Sequence, residues 1–377
     1  MKRGLAATLA IGVCCAMAQA SGYSDFVNGL SVRDSDDAAA VTYFTSALAD
    51  PGLLANLRPV ALYDRGLAYS HLKKIDLALA DYSASLALQP QFDTYVVRAV
   101  TYERTGKPDA ALADFAAAIA TRPEIEAGYY DRAGFLLRAK RYAEALPDFT
   151  KVVELKPDDV NALVFRATVY RLVGNFSAAM DDADKAVHLN SKTTGGYLAR
   201  EAIYQAQGKL DDALDAADDA LDIAPKDTLI LLENAILQWQ LKKFPKALKT
   251  LDRAAAVEPG NGYVVLWQTI VRTDAAIADS DLPARAARVD LAKWPGVLVK
   301  LYAGQADIAA VMREARADDE PGIVDGQVCE ANFYIAEWQR LQGHADLAPP
   351  LLQAAAADCP VPYAEKRIAA SLLKAAP

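Results

Sequence analysis

The sequence predicts an all-α protein, a superhelical solenoid of antiparallel helix pairs. Two observations lead to this prediction. A frame of 33 or 34 residues recurs six times between residues 59 and 261, and within each frame small and apolar residues mark one face of each of two helices. With 53% hydrophobic and 24% charged residues among 377, the chain can also form a core, which excludes global disorder.

The N-terminus has the features of a signal peptide over residues 1–20. Two basic residues are followed by a short apolar stretch that ends at Ala18, and Ala18 and Ala20 form the small-x-small pattern that signal peptidase reads. We expect cleavage between Ala20 and Ser21, and therefore a periplasmic or secreted protein.

Membrane attachment is not favoured by the same region. The apolar stretch is shorter than the ~20 residues that a bilayer span needs, and no later stretch is long enough, so we expect no transmembrane segment in the mature chain. A lipid anchor in the outer membrane, attached to Cys14 or Cys15, is disfavoured because the residue before each cysteine is not a small Gly or Ala.

Composition excludes further classes of partner. The chain has 49 acidic and 40 basic residues, a net charge of −9, and no basic cluster that would neutralise phosphates. We therefore expect no nucleic acid partner. Three His and four Cys residues leave little material for a metal site, so we expect neither a metal nor another cofactor.

Residues 21–58 are predicted to form a degenerate N-terminal capping repeat. Ala40, Phe44 and Ala47 have the spacing that the later repeats use on their second helix. A long connection around Pro51 then leads into the regular frame.

Residues 59–261 contain six tandem repeats. Each has Ala at position 20 and five of the six have Pro at position 32, with position 1 at Pro59, Phe92, Glu126, Val160, Thr194 and Thr228. Small residues allow the two helices of a repeat to approach closely, and Pro stops the second helix. Each pair keeps an apolar flank that only a neighbouring pair can cover, so the repeats must stack.

This frame resembles the tetratricopeptide repeat. The resemblance implies a right-handed superhelix in which the first helix of each repeat, here called helix A, lines the concave face.

The last two segments depart from the frame and then return to it. Residues 262–328 are predicted to be a degenerate helical segment, with helices over 262–278 and 283–293 and a third that ends near Ala317. Residues 329–377 are predicted to form a final repeat, whose second helix begins near Pro349, and a capping helix over 363–374.

The C-terminal sequence resembles a narrower group. Trp294-Pro295, the segment from Leu301 to Gly304 and the sequence CEANFY that starts at Cys329 resemble the NlpI-like tetratricopeptide proteins of bacterial envelopes. Members of that group are typically lipoproteins that recruit peptidoglycan hydrolases and proteases, so the resemblance implies an adaptor.

An arginine recurs at position 7 of the first five repeats: Arg65, Arg98, Arg132, Arg166 and Arg200. At 100° per residue this position lies on the face turned into the repeat, and four of these repeats carry an aspartate at position 23. We therefore expect structural ion pairs: Arg65–Asp81, Arg98–Asp114, Arg132–Asp148 and Arg166–Asp182. Pairing across neighbouring repeats would serve equally, and the alternative function is a ladder that clamps the carboxylates or phosphates of a ligand.

Other helix A residues are candidates for a partner-binding groove. They lie at or beside positions 2, 5, 9 and 12: Tyr63, Asp93, Val96, Glu103, Arg104, Tyr130, Asp131, Arg138, Phe165, Arg171, Leu232, Ile236 and Trp239. Aromatic and arginine side chains are common anchors of protein interfaces, and the mixture of charges suits a polypeptide. The alternative is that these aromatic rings pack between repeats.

Cys329 and Cys359 are predicted to form a disulfide. They lie at positions 1 and 31 of the final repeat, where the start of one antiparallel helix meets the end of the other. They are also the only cysteines left after signal cleavage, in a chain destined for an oxidising compartment. The alternative is a pair of unpaired, small hydrophobic residues.

No catalytic motif accompanies these features, so we expect a protein that is not an enzyme. The expected function is a scaffold, or adaptor, that binds other proteins or peptides, such as cell-wall hydrolases or proteases of the envelope. The competing class is a structural subunit or chaperone of a secretion or polysaccharide-export assembly. The sequence leaves the oligomeric state open, a homo-oligomer included.

Overall fold

The computed structural model describes residues 22–318, 320–360 and 364–375. The predicted cleavage site at Ala20 and Ser21 and the two cysteines of the signal peptide lie outside the described residues. The chain divides into two compact units, residues 1–157 and 158–377. In both units the described residues form helices joined by turns, without any strand.

The first unit consists of helices that pack in consecutive antiparallel pairs. They are α1 (residues 22–32), α2 (Asp37–Ala49), α3 (Arg58–His71), α4 (Ile75–Leu88), α5 (Phe92–Arg104), α6 (Pro108–Thr121), α7 (Glu126–Arg138) and α8 (Tyr142–Leu155). In the repeats α3–α4, α5–α6 and α7–α8, the first helix of each pair is helix A.

Small residues at fixed positions hold these pairs together. Ala99 and Ala133 are fully buried at position 8, and Gly66 occupies the same position in the first repeat. A Cβ atom on Gly66 would lie only 2.6 Å from the ring of Tyr82, so a larger residue would require the ring or the helices to shift.

The turn between the two helices of a repeat needs a left-handed residue. Gly106 supplies it with a φ of +69°, a conformation that glycine adopts cheaply. Lys73 and Lys140 adopt nearly the same φ, +60° and +58°, in the neighbouring repeats. The turn geometry is therefore kept even where the sequence lacks glycine.

The second unit continues the helix pairs and ends in a less regular region. Its helices are α9 (Val160–Leu172), α10 (Phe176–Leu189), α11 (Gly195–Ala206), α12 (Leu210–Ile223), α13 (Thr228–Gln240), α14 (Phe244–Val257), α15 (Gly262–Asp274), α16 (Leu282–Ala286), α17 (Gly296–Tyr302), α18 (Ile308–Glu314), α19 (Pro321–Leu341), α20 (Ala348–Asp358) and α21 (Ala364–Ala375). A short 3-10 helix, Ala345–Leu347, precedes α20. The largest core side chain is Trp267, which packs against Phe333 and Tyr334.

The irregular segment differs from the sequence prediction. The helix predicted over 283–293 is wrong, because α16 stops at Ala286 and the Asp290 side chain accepts a hydrogen bond from the Ala292 N–H in a turn. The third predicted helix is split, since Gly304 takes a φ of +72° and Asp307 caps the start of a new helix.

The final pair also starts differently. Helix α19 begins at Pro321, well before Cys329, because Pro is favoured in the first turn of a helix. Helix α20 begins at Ala348 with both prolines in its first turn, as predicted. Helix α21 packs mainly against α20 and also contacts α19, as a capping helix does.

None of the described helices combines the length and the apolar character needed to cross a bilayer.

Candidate functional site

Four of the five repeated arginines point into their own repeats. Arg132 donates from Nε and Nη2 to the two carboxylate oxygens of Asp148, at 2.7 and 2.6 Å. The three other predicted pairs, Arg65–Asp81, Arg98–Asp114 and Arg166–Asp182, have the same two-bond geometry at 2.6–2.7 Å. All four aspartates are buried, and each pair connects helix A to the second helix of its repeat.

Tyrosine rings also lie within cation–π distance of these guanidinium groups. The Cζ atom of Arg98 lies 5.9 Å from the ring centroid of Tyr95 and 5.8 Å from that of Tyr102. Arg65 lies 5.8 Å from Tyr69 in the same way. Arg98 also donates to Asp114 in its own repeat and to the Ser83 hydroxyl of the preceding repeat, which leaves little of it for a ligand to contact.

Arg200 differs from the other four arginines. Its repeat has no aspartate at position 23, and its Nε donates instead to Asp184 of the preceding repeat, at 2.7 Å. The Asp184 side chain is 53% exposed, so this is a surface pair. It is the arrangement that the sequence analysis left open as pairing between neighbouring repeats.

In the first unit, the groove candidates lie along the A helices α3, α5 and α7. Tyr63 is half-buried, with its ring 6.5 Å from that of Tyr82, and Tyr130 is half-buried, with its ring 5.7 Å from that of Phe149. Each ring therefore packs on the second helix of its own repeat and keeps part of its surface exposed. The corresponding residue of α5, Val96, is half-buried as well.

The charged candidates of this unit comprise one pair, two exposed groups and one half-buried carboxylate. Arg138 on α7 donates to both carboxylate oxygens of Glu103 on α5, at 2.7 and 2.9 Å. Asp93 and Arg104 are exposed. Asp131 is half-buried, and burial raises the pKa of its carboxyl group while the Arg138 guanidinium lowers it.

Asp64 is a buried carboxylate next to this surface that the sequence did not predict. Asp64 on α3 is 2% exposed, and burial raises its pKa to about 6 against the opposing charge of Arg33. Its Oδ1 atom accepts a 3.4 Å hydrogen bond from Arg33, whereas no partner for its buried Oδ2 is found among the described residues. The only sequence signal was its position, since Asp131 occupies the same place, position 6, two repeats later.

In the second unit, the groove candidates have different environments. Phe165 is 38% exposed and Arg171 is half-buried. Trp239 is 7% exposed, packs edge-on against Trp267 at 5.2 Å and donates its indole N–H to Asp274 at 2.6 Å. The prediction of Trp239 as an open groove residue is therefore not supported by its burial, because its ring and its polar atom are both used inside the unit.

Two other candidates, Leu232 and Ile236, are buried residues of α13 that line a pocket of this unit. The same pocket contains Glu330 and Glu365, which the sequence analysis did not select. A signal for Glu330 existed. It lies at position 2 of the final repeat, one of the groove positions, although that repeat departs from the regular frame.

The predicted disulfide is present. Cys329 on α19 and Cys359, just after α20, are bonded, with their Cα atoms 4.9 Å apart. Both residues are buried. Among the residues that the structure describes, no group of three or more His, Cys, Asp or Glu side chains is arranged to hold a metal ion.

Family models of known proteins match these repeats. Three family models, each described as the tetratricopeptide repeat, match residues 59–92, 96–160 and 204–265. No curated protein matches the sequence significantly.

Several solved structures are similar in fold. The C-terminal part of a TPR repeat-containing protein from Cytophaga hutchinsonii is 18% identical, with a TM-score of 0.53 over 64% of this chain and 98% of that one. A tetratricopeptide repeat protein from Parabacteroides merdae is 16% identical, with a TM-score of 0.49 over 61% and 90% of the two chains. The structure of pilF from Pseudomonas aeruginosa is 18% identical, with a TM-score of 0.42 over 57% of this chain and 98% of that one.

Proposed function

The chain is a tetratricopeptide repeat protein, and we propose that it is a non-enzymatic scaffold of the cell envelope that binds other polypeptides along the A helices of its first unit. Repeats of this kind support a role in protein interaction. One observation carries the choice of surface. In the first unit each repeated arginine is paired with an aspartate of its own repeat, whereas the position 5 residues and the charged groups beside them keep exposed surface.

The chemistry of this surface suits a polypeptide. Tyr63, Val96 and Tyr130 offer three partly exposed apolar groups on successive A helices, one per repeat. Such half-buried rings provide contact area without losing much conformational entropy, because packing already fixes them. Asp93 and Arg104 add charges of opposite sign, which would favour a segment of mixed charge over a uniformly charged ligand.

The setting is the second part of the proposal. A signal peptide, cleaved before Ser21, would deliver the protein to the periplasm or the medium. The disulfide between Cys329 and Cys359 supports an oxidising compartment. Resemblance to the NlpI-like proteins supports envelope hydrolases or proteases as partners.

A charge reversal tests the proposed surface. The exposed Arg104 lies on α5, and the exposed Lys74 lies in the turn outside the A helices, so Arg104→Glu and Lys74→Glu make a matched pair. Each full-length variant would be used to capture proteins from an envelope extract, followed by mass spectrometry. We expect Arg104→Glu to reduce capture of a hydrolase or protease and Lys74→Glu to leave it unchanged.

Two outcomes would count against the proposal. Equal capture by both variants and the unaltered protein would exclude the A helix surface as the binding site. Capture of stoichiometric components of one secretion or export assembly, without hydrolases or proteases, would favour the structural-subunit class instead.

A further inference from the structure

A second candidate binding site lies in the second unit, in a pocket of about 360 Å³ between α13, α15, α19 and α21. Its apolar wall is formed by Leu232, Ile236 and the indole of Trp267. Pockets of this size, with apolar walls and a few polar groups, are typical of sites that hold a small ligand or a large side chain.

Three carboxylates line the same pocket, and only one of them is neutralised by a nearby cation. Glu233 on α13 accepts hydrogen bonds of 3.2 and 3.1 Å from Nη2 of Arg367. Glu330 and Glu365 are each 8% exposed, and neither has a lysine or arginine within salt-bridge distance among the described residues. Two buried carboxylates therefore face one pocket without a salt-bridged cation among the described residues. The charge of Arg367 also acts on Glu365, but its guanidinium is hydrogen-bonded to Glu233.

Neutral groups hold these two carboxylates in place. Glu330 accepts from the Tyr263 hydroxyl at 2.7 Å and from the Trp294 indole N–H at 2.5 Å. Glu365 accepts from the Tyr334 hydroxyl at 3.2 Å. A carboxylate oxygen has room for more than one hydrogen bond, so these contacts leave acceptor capacity for a donor in the pocket.

The electrostatics of the pocket favour a cation. Burial raises the pKa of Glu365 to about 7, with the charge of Glu330 as the next cause, and burial also raises the pKa of Glu330. Ionised carboxylates in this position are unfavourable because water cannot solvate them. A bound cation would relieve both the desolvation and the mutual repulsion.

The rim of the pocket indicates what carries that cation. Leu229 lines the pocket and is 72% exposed, so it offers an apolar surface at the rim. If a partner polypeptide placed a basic side chain in the pocket, Leu229 and Leu232 would cover an apolar residue next to it. A free amine would leave the rim leucine in water, whereas a polypeptide with adjacent basic and apolar residues would use both features.

We propose that this pocket binds a lysine or arginine side chain of a partner polypeptide, with the alkyl part against Trp267 and Ile236 and the charged end between Glu330 and Glu365. The neighbouring apolar residue of the partner would pack on Leu229. This site is separate from the surface proposed for the first unit, and its test does not depend on that surface.

The test uses an array of blocked pentapeptides probed with the labelled full-length protein at pH 8. The central residue is varied to include lysine and arginine and their neutral counterparts norleucine and citrulline, and the flanking residues are randomised. We expect lysine or arginine to be preferred by at least about tenfold, because a buried charged hydrogen bond is lost with each neutral counterpart.

Variants assign the preference to the pocket. Glu330→Gln and Glu365→Gln should remove it, and the exposed Asp222→Asn on α12 should leave it intact. Leu229→Asp changes only a solvent-exposed rim residue, so its folding is not in question. It should keep the basic preference and lose the apolar one beside it.

Three results would overturn the proposal: equal binding of the charged and neutral centres, a basic preference that survives both glutamine variants, or binding of free cadaverine as tightly as the best peptide. The first would exclude recognition of a cation, the second would place it elsewhere, and the third would assign the pocket to a free amine. Failure here would leave the capture experiment with Arg104→Glu unaffected.

Discussion

At the scale of single residues, the pair of Arg132 and Asp148 shows how the repeats use their arginines. The Asp148 side chain is 6% exposed and that of Arg132 is 28% exposed. Removing the arginine would leave a buried carboxylate without its partner. For a wholly buried pair this costs ~3–5 kcal/mol, and solvent access to Arg132 reduces the expected loss to about 2–3 kcal/mol.

We therefore expect Arg132→Ala to lower the free energy of unfolding by that amount and to leave partner binding unchanged. Arg200→Ala is the matched control. Its partner Asp184 is 53% exposed, so the loss should stay below about 1 kcal/mol. Urea unfolding of both variants measures the difference. Unaltered unfolding of Arg132→Ala together with lost binding would instead support an arginine ladder that clamps a ligand.

Glu365 gives a second prediction at this scale, because its pKa is raised to about 7 in the folded protein. An unfolded glutamate titrates near ~4.3, so between about pH 4 and 7 the native state holds a proton that the unfolded state releases. The free energy of unfolding should therefore fall as the pH rises through this window. The groups around the carboxyl group are Glu330, Tyr334, Glu233 and Arg367.

Glutamine mimics the protonated acid at every pH. The stability of Glu365→Gln relative to the unaltered protein should therefore rise between pH 5 and pH 8, by at most about 3 kcal/mol. Thermal or urea unfolding at several pH values measures it, and Asp222→Asn should show no such change because Asp222 is exposed. Parallel stability curves for Glu365→Gln and the unaltered protein would show that Glu365 is ionised in the folded state.

The contacts of a residue could be predicted from the sequence where both partners lie in the same repeat. Arg65 and Asp81 could be paired because both positions recur and lie on facing sides of two helices. Trp239 was assigned to the groove from its position alone, and the structure buries it against Trp267, which lies in the next helix A. Contacts of that kind depend on how one repeat is placed on another, and the helical period does not contain this information.

At the scale of helices, the disulfide between Cys329 and Cys359 fixes the final pair. It joins α19 to the end of α20 across a sequence separation of 30 residues. By the chain-entropy model a loop of this length contributes roughly 3–4 kcal/mol to stability. Helix α21 packs on α20, so loosening that pair would also affect the capping helix.

Counting free thiols in the denatured, unreduced mature protein should give none. Reduction should lower the stability of the second unit by about 3 kcal/mol and speed amide exchange in α20 and α21. The double variant Cys329→Ser, Cys359→Ser is the control, since reductant should not change it. Two titratable thiols in the unaltered protein would contradict the bond.

Helices were predictable where the repeat is regular. The frame located the pairs from α3 to α14 because alanine, glycine and proline recur at fixed positions. After Pro259 that information ends. The loop between α16 and α17 contains a turn in which Asp290 accepts from the Ala292 N–H, and Asp307 caps the start of α18. The early start of α19 depends on Pro321.

At the scale of the whole molecule, export determines where any partner is met. The small residues Ala18 and Ala20 predict a mature N-terminus at Ser21. N-terminal sequencing of protein purified from the envelope fraction tests this directly. A lipidated terminus at Cys14 or Cys15, or an uncleaved chain in the cytoplasm, would overturn the proposed setting.

We propose above that the A helices of the first unit hold a polypeptide, and a crosslink tests this most directly. Val96 lies at position 5 of α5, on that surface, and Leu77, which is 48% exposed, lies on the second helix of the first repeat. The same photoreactive amino acid is placed at either position in the full-length chain, which is then irradiated in an envelope extract. Because the reactive group is identical, the crosslinks compare the A helix surface with the second helix. We predict that position 96 crosslinks to a specific envelope protein and that Arg104→Glu abolishes this crosslink, while position 77 gives none. Equal crosslinking at both positions, or a position 96 crosslink that is insensitive to Arg104→Glu, would contradict the account.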